Sequence, residues 1–213
     1  MRYTDSDWIP VTLTEGQKKF VRKVGVSRFR VKEASGMSGR QLKEEFQRGA
    51  QGAAQSYAAE CALAIALGSK PHTDASKRGS NGKHVKVAKS GRDLWLNACW
   101  GSDPTWDLKY SPNRIPEADI FLLTTGNMDE TMWVVGGMSR KAFLSSAKAR
   151  DYGHGERLAV EQSKLTPAGE IARYLGAGGV VDRLRKEHRE KRLRHQRKQG
   201  SLFGEMDDHR DPA

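Results

Sequence analysis

Glu60, Asp93, Asp107 and Lys109 are the side chains whose types and order could do chemistry together. Glu60 lies in Tyr57-Ala-Ala-Glu60-Cys-Ala-Leu-Ala, a carboxylate among small apolar residues. Asp93 opens the apolar run Gly91-Arg-Asp93-Leu-Trp-Leu, and Asp107-Leu-Lys109 follows fourteen residues later. In a strand, residues i and i+2 share a face, so Asp107 and Lys109 project together and Leu108 points the other way. A hairpin between the two runs is expected to set Asp93 beside Asp107 and gather these acids and the ammonium on one sheet face. Hard divalent ions take oxygen ligands, and Mg²⁺ keeps several waters while accepting one or two carboxylates plus phosphate oxygens. Such an ion polarises a phosphodiester and activates a water. A lysine beside it stabilises charge developing on the phosphate, or orients or deprotonates the attacking water.

These residues need a helix and two strands to position them. Residues 41–68 read as one long helix, with Ala53, Tyr57, Cys61, Ala64 and Leu67 at helical spacing and Gly68 as its C-cap. Upstream, 8–13 is a short extended lead-in, Thr14-Glu15 opens a helix to about Val24, 26–31 is β-prone, and 34–39 is a Gly/Ser loop. Residues 69–81 are aperiodic Ser, Lys and Gly, a surface loop. Short β runs are expected at 84–88, 93–98, 106–110, 119–125 and 132–138. Ile120-Phe-Leu-Leu is continuously apolar, as a central strand buried on both faces would be. Ser139 is an N-cap for a helix over 140–150. Residues 151–156 form a Gly-rich loop, and Thr166-Pro167 starts a helix that ends at 176–179. A last helix, 180–199, has apolar residues only near its start and at Leu193, and 200–213 is a polar tail. The expected architecture is α/β, a mixed central sheet flanked by helices, with a basic C-terminal helix and flexible tail. It divides into a basic N-terminal arm (1–40), an α/β core (41–179) and the basic helix and tail (180–213).

Over about 41–144 this pattern resembles the PD-(D/E)XK, restriction-endonuclease-like nuclease superfamily. Asp107-Leu-Lys109 matches the (D/E)XK element, Asp93 the first acidic position, and Glu60 the helical acid of many members. Ala118-Asp-Ile-Phe-Leu-Leu-Thr and Trp133-Val-Val-Gly-Gly look like the two strands that come next. Asp93 follows Arg92 where the family has Pro, and Asp103-Pro104 lies in the turn. Asp74 replaces Asp93 if the strands are offset. The resemblance implies a restriction-endonuclease-like core and a metal-dependent DNA endonuclease. In it Asp93 and Asp107 hold Mg²⁺ (or Mn²⁺), Glu60 assists as a ligand or through a water, and Lys109 supports the attacking water.

Charge points to the same class of partner. The chain has 37 Lys+Arg against 26 Asp+Glu, a net +11. Residues 14–49 hold 10 bases and 4 acids, and 182–199 hold 9 and 3. Each segment is therefore +6, and the remainder is 11 − 12 = −1. Lys/Arg arms gain affinity for polyanions by releasing condensed counterions. Arg183, Arg185, Lys186, Arg189, Lys191, Arg192 and Arg194 are the candidate DNA contacts on the last helix. After them, Gln199-Gly-Ser201-Leu202-Phe203 resembles the bacterial sliding-clamp binding motif Gln-x-x-Leu-Phe, departing from its common form only at Gly200. An apolar pair on a polar tail is what a partner's pocket anchors, with Gln199 and Ser201 fixing orientation. The resemblance implies a tether that raises the local concentration of DNA. The alternative is a non-catalytic DNA- and clamp-binding protein that occupies or redirects the clamp. An RNA-binding accessory factor is disfavoured, because no RNA-module signature is present.

Other features exclude or add little. No stretch approaches the ~18 apolar residues of a membrane span, and 1–10 has no apolar signal core. Cys61 and Cys99 make neither a disulfide framework nor, alone, a zinc site. A reducing bacterial cytoplasm is expected, at the nucleoid, in a host or a phage. His154 is a phosphate or metal contact or an idle loop histidine. Trp95, Trp100, Trp106 and Trp133 are expected in the core, with Trp100 able to stack on a base. Arg114 and Lys141 are possible phosphate contacts. Gly79-Ser-Asn-Gly82 lacks the Gly-Lys-Ser/Thr ending of a P-loop.

Overall fold

The computed structural model describes residues 7–33, 41–69, 83–101, 106–153 and 155–204, with side chains at 28–33, 41–48 and 198–204 excepted. Helix α1 spans Glu15–Glu33 and α2 spans Gln41–Ala66. A reciprocal capping pair starts α1: Gln17 N–H donates to Thr14 Oγ1 at 3.3 Å, and Thr14 N–H donates to Gln17 Oε1 at 2.8 Å. Gly68, at φ 65°, ends α2, and the next amide, Ser69 N–H, reaches back to Ala64 O at 2.8 Å. The small residues of α2 let α1 cross closely. A Cβ at Gly25 would stand 2.7 Å from the Ala54 Cβ, so the crossing tolerates no side chain there. The expected β segment over 26–31 is instead the continuation of α1. A strand propensity expresses packing on a sheet face, whereas a helix already nucleated extends at one hydrogen bond per residue.

The strands are β1 (Ile9–Val11), β2 (Val85–Lys89), β3 (Arg92–Gly101), β4 (Leu108–Tyr110), β5 (Ile120–Gly126), β6 (Met132–Ser139), β7 (Lys148–Asp151), β8 (Glu156–Val160) and β9 (Thr166–Pro167). The main sheet runs β1-β6-β5-β3-β2, with β9 also on β6. β3 and β5 are parallel, with Leu96 opposite Ile120, and the other pairs are antiparallel. The fold is therefore α/β with a mixed sheet. β5 is its centre. Leu122 faces the α2 core with Ala58, Leu63 and Val134, while Phe121 and Leu123 face a second core with Leu108, Val135 and Phe143. That two-sided burial is why its sequence is apolar without alternation.

The second core lies under a small sheet, β4-β8-β7. Here the chain departs from expectation. Helix α3 spans only Arg140–Ser146, capped by Ser139 Oγ accepting from Ala142 N–H. It stops at Ala147, whose φ −66° and ψ 138° are extended. Residues 148–151 then pair with β8 rather than continue the helix. Lys-Ala-Arg-Asp carries no apolar alternation, so only its partner strand defines it as β. Two glycines, Gly153 at φ 80° and Gly155 at φ 92°, turn this hairpin.

Helix α4 (Ala168–Tyr174) and α5 (Gly178–Gly204) close the α2 side. Ile9, Val11, Leu13, Val21 and Val24 share one core with α2 and Val181, so the N-terminal segment is part of the main body and not a separate arm. α5 continues to Gly204, through the stretch expected to begin a tail at residue 200. Among the described residues, no helix is long and apolar enough to cross a membrane.

Candidate functional site

The hairpin expected between the Asp93 and Asp107 runs does not form. β3 pairs with β2 and β5, and β4 joins β8 in the small sheet. Cys99 Sγ donates to Lys109 O at 3.4 Å, which ties β4 to the far half of β3. Asp93 stands at the opposite end of β3, roughly 20 Å from Cys99 at about 3.3 Å per residue. There its carboxylate is 54% exposed and 2.6 Å from Lys86 Nζ across the β2–β3 ladder. Glu60 approaches the main sheet from the α2 face, and β4 covers the other. The set Glu60, Asp93 and Asp107 therefore does not fit one shared ion. Among the described residues, no group of three or more His, Cys, Asp and Glu side chains could hold a metal. Asp74 and His154 lie outside the described residues, as do the loop at 70–82 and the Asp103-Pro104 turn.

Asp107 and Lys109 are brought together, but in a structural corner. Asp107 Oδ2 accepts from Arg150 Nη1 at 3.0 Å and from the Tyr152 hydroxyl at 2.7 Å. Arg150 also donates to Glu161 Oε1 at 2.6 Å, and that bond is the main reason the Glu161 carboxyl is held below its ordinary range. Lys109 Nζ lies 3.7 Å from the Trp106 ring centroid and 4.1 Å from that of Tyr152. Cation–π contact on two rings fixes the ammonium in this corner. Burial, and then the bond to Asp107, raise the Tyr152 phenol above its usual value.

Glu60 sits in a different cluster, which its neighbours on α2 do not reveal. Its Oε1 is 3.7 Å from His84 Nε2. His84 Nδ1 accepts from Ala98 N–H at 3.1 Å, which leaves Nε2 as the protonated nitrogen facing the carboxylate. Asn97 Nδ2 is 3.4 Å from the same Nε2, and Asn97 Oδ1 accepts from the Tyr110 hydroxyl at 2.6 Å. Burial pushes the Tyr110 phenol well above its ordinary value and raises the Cys99 thiol, so both stay neutral. The cluster is one carboxylate and one imidazole among neutral groups. One signal in the sequence pointed there: Asn97 as a lone amide inside Leu-Trp-Leu-Asn-Ala-Cys.

The basic helix is the other candidate. Arg183, Lys186, Arg189, Lys191, Arg192 and Arg194 are exposed on α5, and Arg185 is half-buried. Arg183 Nε is 3.8 Å from Glu187 Oε1. Among the described residues, the other six make no ion pair with a carboxylate. Arg185 Nε reaches Trp8 O at 3.4 Å and anchors α5 beside β1. Two hollows line the helix: one of about 410 Å³ against Trp8 and Trp133, and one of about 560 Å³ beside Glu130 and Thr131. His188 and the two tryptophans were missed as site residues, because only the packing of β1, β6 and α5 brings them together. Gln199, Ser201, Leu202 and Phe203 fall on the last turns of α5, and their side chains lie outside those described. Trp100 is tied down by its Nε1 donating to Gly126 O at 3.2 Å, while Arg114 and Lys141 are exposed on the surface. No family model matches this chain, and neither a curated protein nor a solved structure matches it.

Proposed function

We propose that the chain is a non-catalytic DNA-binding protein. It grips the polyanion through α5 and is directed to the bacterial sliding clamp by Gln199, Ser201, Leu202 and Phe203. One observation carries the reading: among the described residues the cations of α5 other than Arg183 lack carboxylate partners, whereas Asp93 and Asp107 are each held by a cation of the fold. At 27 residues, α5 is about 40 Å long, enough to follow a duplex backbone over roughly one helical turn. The clamp-like pentapeptide ends that same helix, so clamp contact would hold the basic face against DNA encircled by the ring. Fluorescence anisotropy with labelled duplex, and pull-down with purified clamp, test the two halves. Full-length protein that binds duplex and clamp but leaves plasmid intact with Mg²⁺ supports the reading, and failure to bind duplex removes it.

A second reading is a Mg²⁺- or Mn²⁺-dependent endonuclease on a restriction-endonuclease-like core. Glu60 favours it, a carboxylate buried on α2 against a mixed sheet with a parallel central pair. Plasmid cleavage that either ion supports and Glu60→Gln abolishes would put this reading first.

A further inference from the structure

The hollow between β1, β6 and α5 sets aromatic rings beside a row of guanidinium groups. Trp8 and Trp133 meet edge to face, with centroids 6.1 Å apart and planes at 66°. The His188 ring stands against Trp133 at 5.0 Å and 76°. Arg185, Arg189 and Arg192 follow at i, i+4 and i+7, so one face of α5 lays three guanidinium groups along the same cleft. Its volume, about 410 Å³, falls in the range of small-ligand sites. Among the described residues, no carboxylate lines it.

Two of its polar atoms are unexplained by the fold. Among the described residues, Trp8 Nε1 and His188 Nδ1 are buried without a hydrogen-bond partner. Such groups cost about 1–3 kcal/mol each unless something satisfies them. Burial, then the nearby Arg192 and Lys191, lower the His188 imidazole below its ordinary value, so it is a neutral ring at neutral pH. The second hollow shares His188 and Arg192 with the first and carries Lys191, Arg194 and His195 onward, with Glu130 at its edge.

We propose that this cleft takes an unpaired nucleotide of single-stranded DNA. Its base lies against the Trp133, Trp8 and His188 rings, and its phosphates run along Arg189 and Arg192. The reason for a single strand is geometric. Aromatic side chains stack on a base only when its face is uncovered, and in a duplex the neighbouring bases cover it. Guanidinium groups match phosphate oxygens in a bidentate fork and lie flat on rings, which suits a cleft holding both. The second hollow would carry the neighbouring phosphates over about 10 Å of helix, from His188 to His195.

This inference rests on the DNA-binding reading and makes it more specific, so the test separates the two. Anisotropy of a labelled short oligothymidylate is compared with that of its duplex with oligoadenylate, on full-length protein. Trp133→Ala is expected to lower single-strand affinity about tenfold or more while leaving duplex affinity within about twofold. His188→Ala, which removes a half-buried helix ring and not a strand residue, is expected to act in the same direction with an unchanged melting temperature. Arg189→Ala is expected to weaken both ligands. If the duplex binds but neither Trp133→Ala nor His188→Ala changes the ratio of single-strand to duplex affinity, the cleft assignment is wrong and the DNA-binding reading stands. If neither ligand binds wild-type protein, both fall.

Discussion

The Asp107 corner and the exposed face of α5 are both densely charged, yet they handle charge in opposite ways. Around Asp107, Arg150 pairs with both Asp107 and Glu161, and two aromatic rings hold Lys109. Along α5, among the described residues, the cations other than Arg183 make no ion pair with a carboxylate, and Arg183 pairs with Glu187 near the helix start. Charges satisfied inside a fold position its strands. Charges left open keep their counterions, and releasing those counterions on contact with phosphate is a source of binding free energy. The contrast is what favours the helix over the acids of the β region in the proposed DNA-binding reading.

The largest effect expected from this contrast is on DNA. The double replacement Arg189→Glu/Arg192→Glu should weaken duplex binding by roughly 100-fold at low salt and flatten the salt slope by about two, since each lost phosphate contact removes roughly 0.9. Anisotropy titrations across NaCl concentrations measure both. Equal slopes for variant and wild type would break the contrast. In the other region, Asp107→Ala should lower unfolding free energy by about 1.5–3 kcal/mol, because Arg150 and Tyr152 lose a shared charged acceptor. Urea denaturation reads that loss, and duplex affinity should stay within about twofold. A drop in DNA binding as large as the α5 variant's would make the corner functional after all.

Two smaller effects sharpen the same contrast. Burial raises Tyr110 and Cys99 in the folded protein. Each therefore contributes stability that is complete below its unfolded value, about 10 for the phenol and about 8.5 for the thiol, and is lost progressively as pH rises from there through the raised value of the folded protein. Thermal melting between neutral and strongly alkaline pH should show the fall, and Tyr110→Phe should make it shallower. Asp93→Ala should change stability by no more than about 0.5 kcal/mol, because its pair with Lys86 is exposed on both sides. A larger loss would mean that Asp93 has a partner beyond the β2–β3 hairpin.

What could be read from the sequence was what local chemistry decides. The capping of α2 at Gly68, the two-sided burial of Ile120–Leu123 and the Ser139 N-cap all depend on neighbours within a few residues, and all are present. Asp93 and Asp107 were expected together because their spacing suits a hairpin. Which strand β4 pairs with depends on β8, about fifty residues on, and no local pattern encodes that choice. The polar centre of the sheet was hidden for the same reason, since His84, Asn97 and Tyr110 meet Glu60 only after α2 and three separate chain segments pack. The basic helix was legible as charge, but its tryptophan-lined hollow required β1 to lie beside β6.

The measurement that bears most directly on α5 as the DNA grip is the salt dependence of duplex binding by the wild-type protein. With about five cations engaged, log K against log [NaCl] should fall with a slope of roughly −4 to −5. A slope near zero, or no binding at low salt, would contradict the assignment of α5 as a phosphate-binding face.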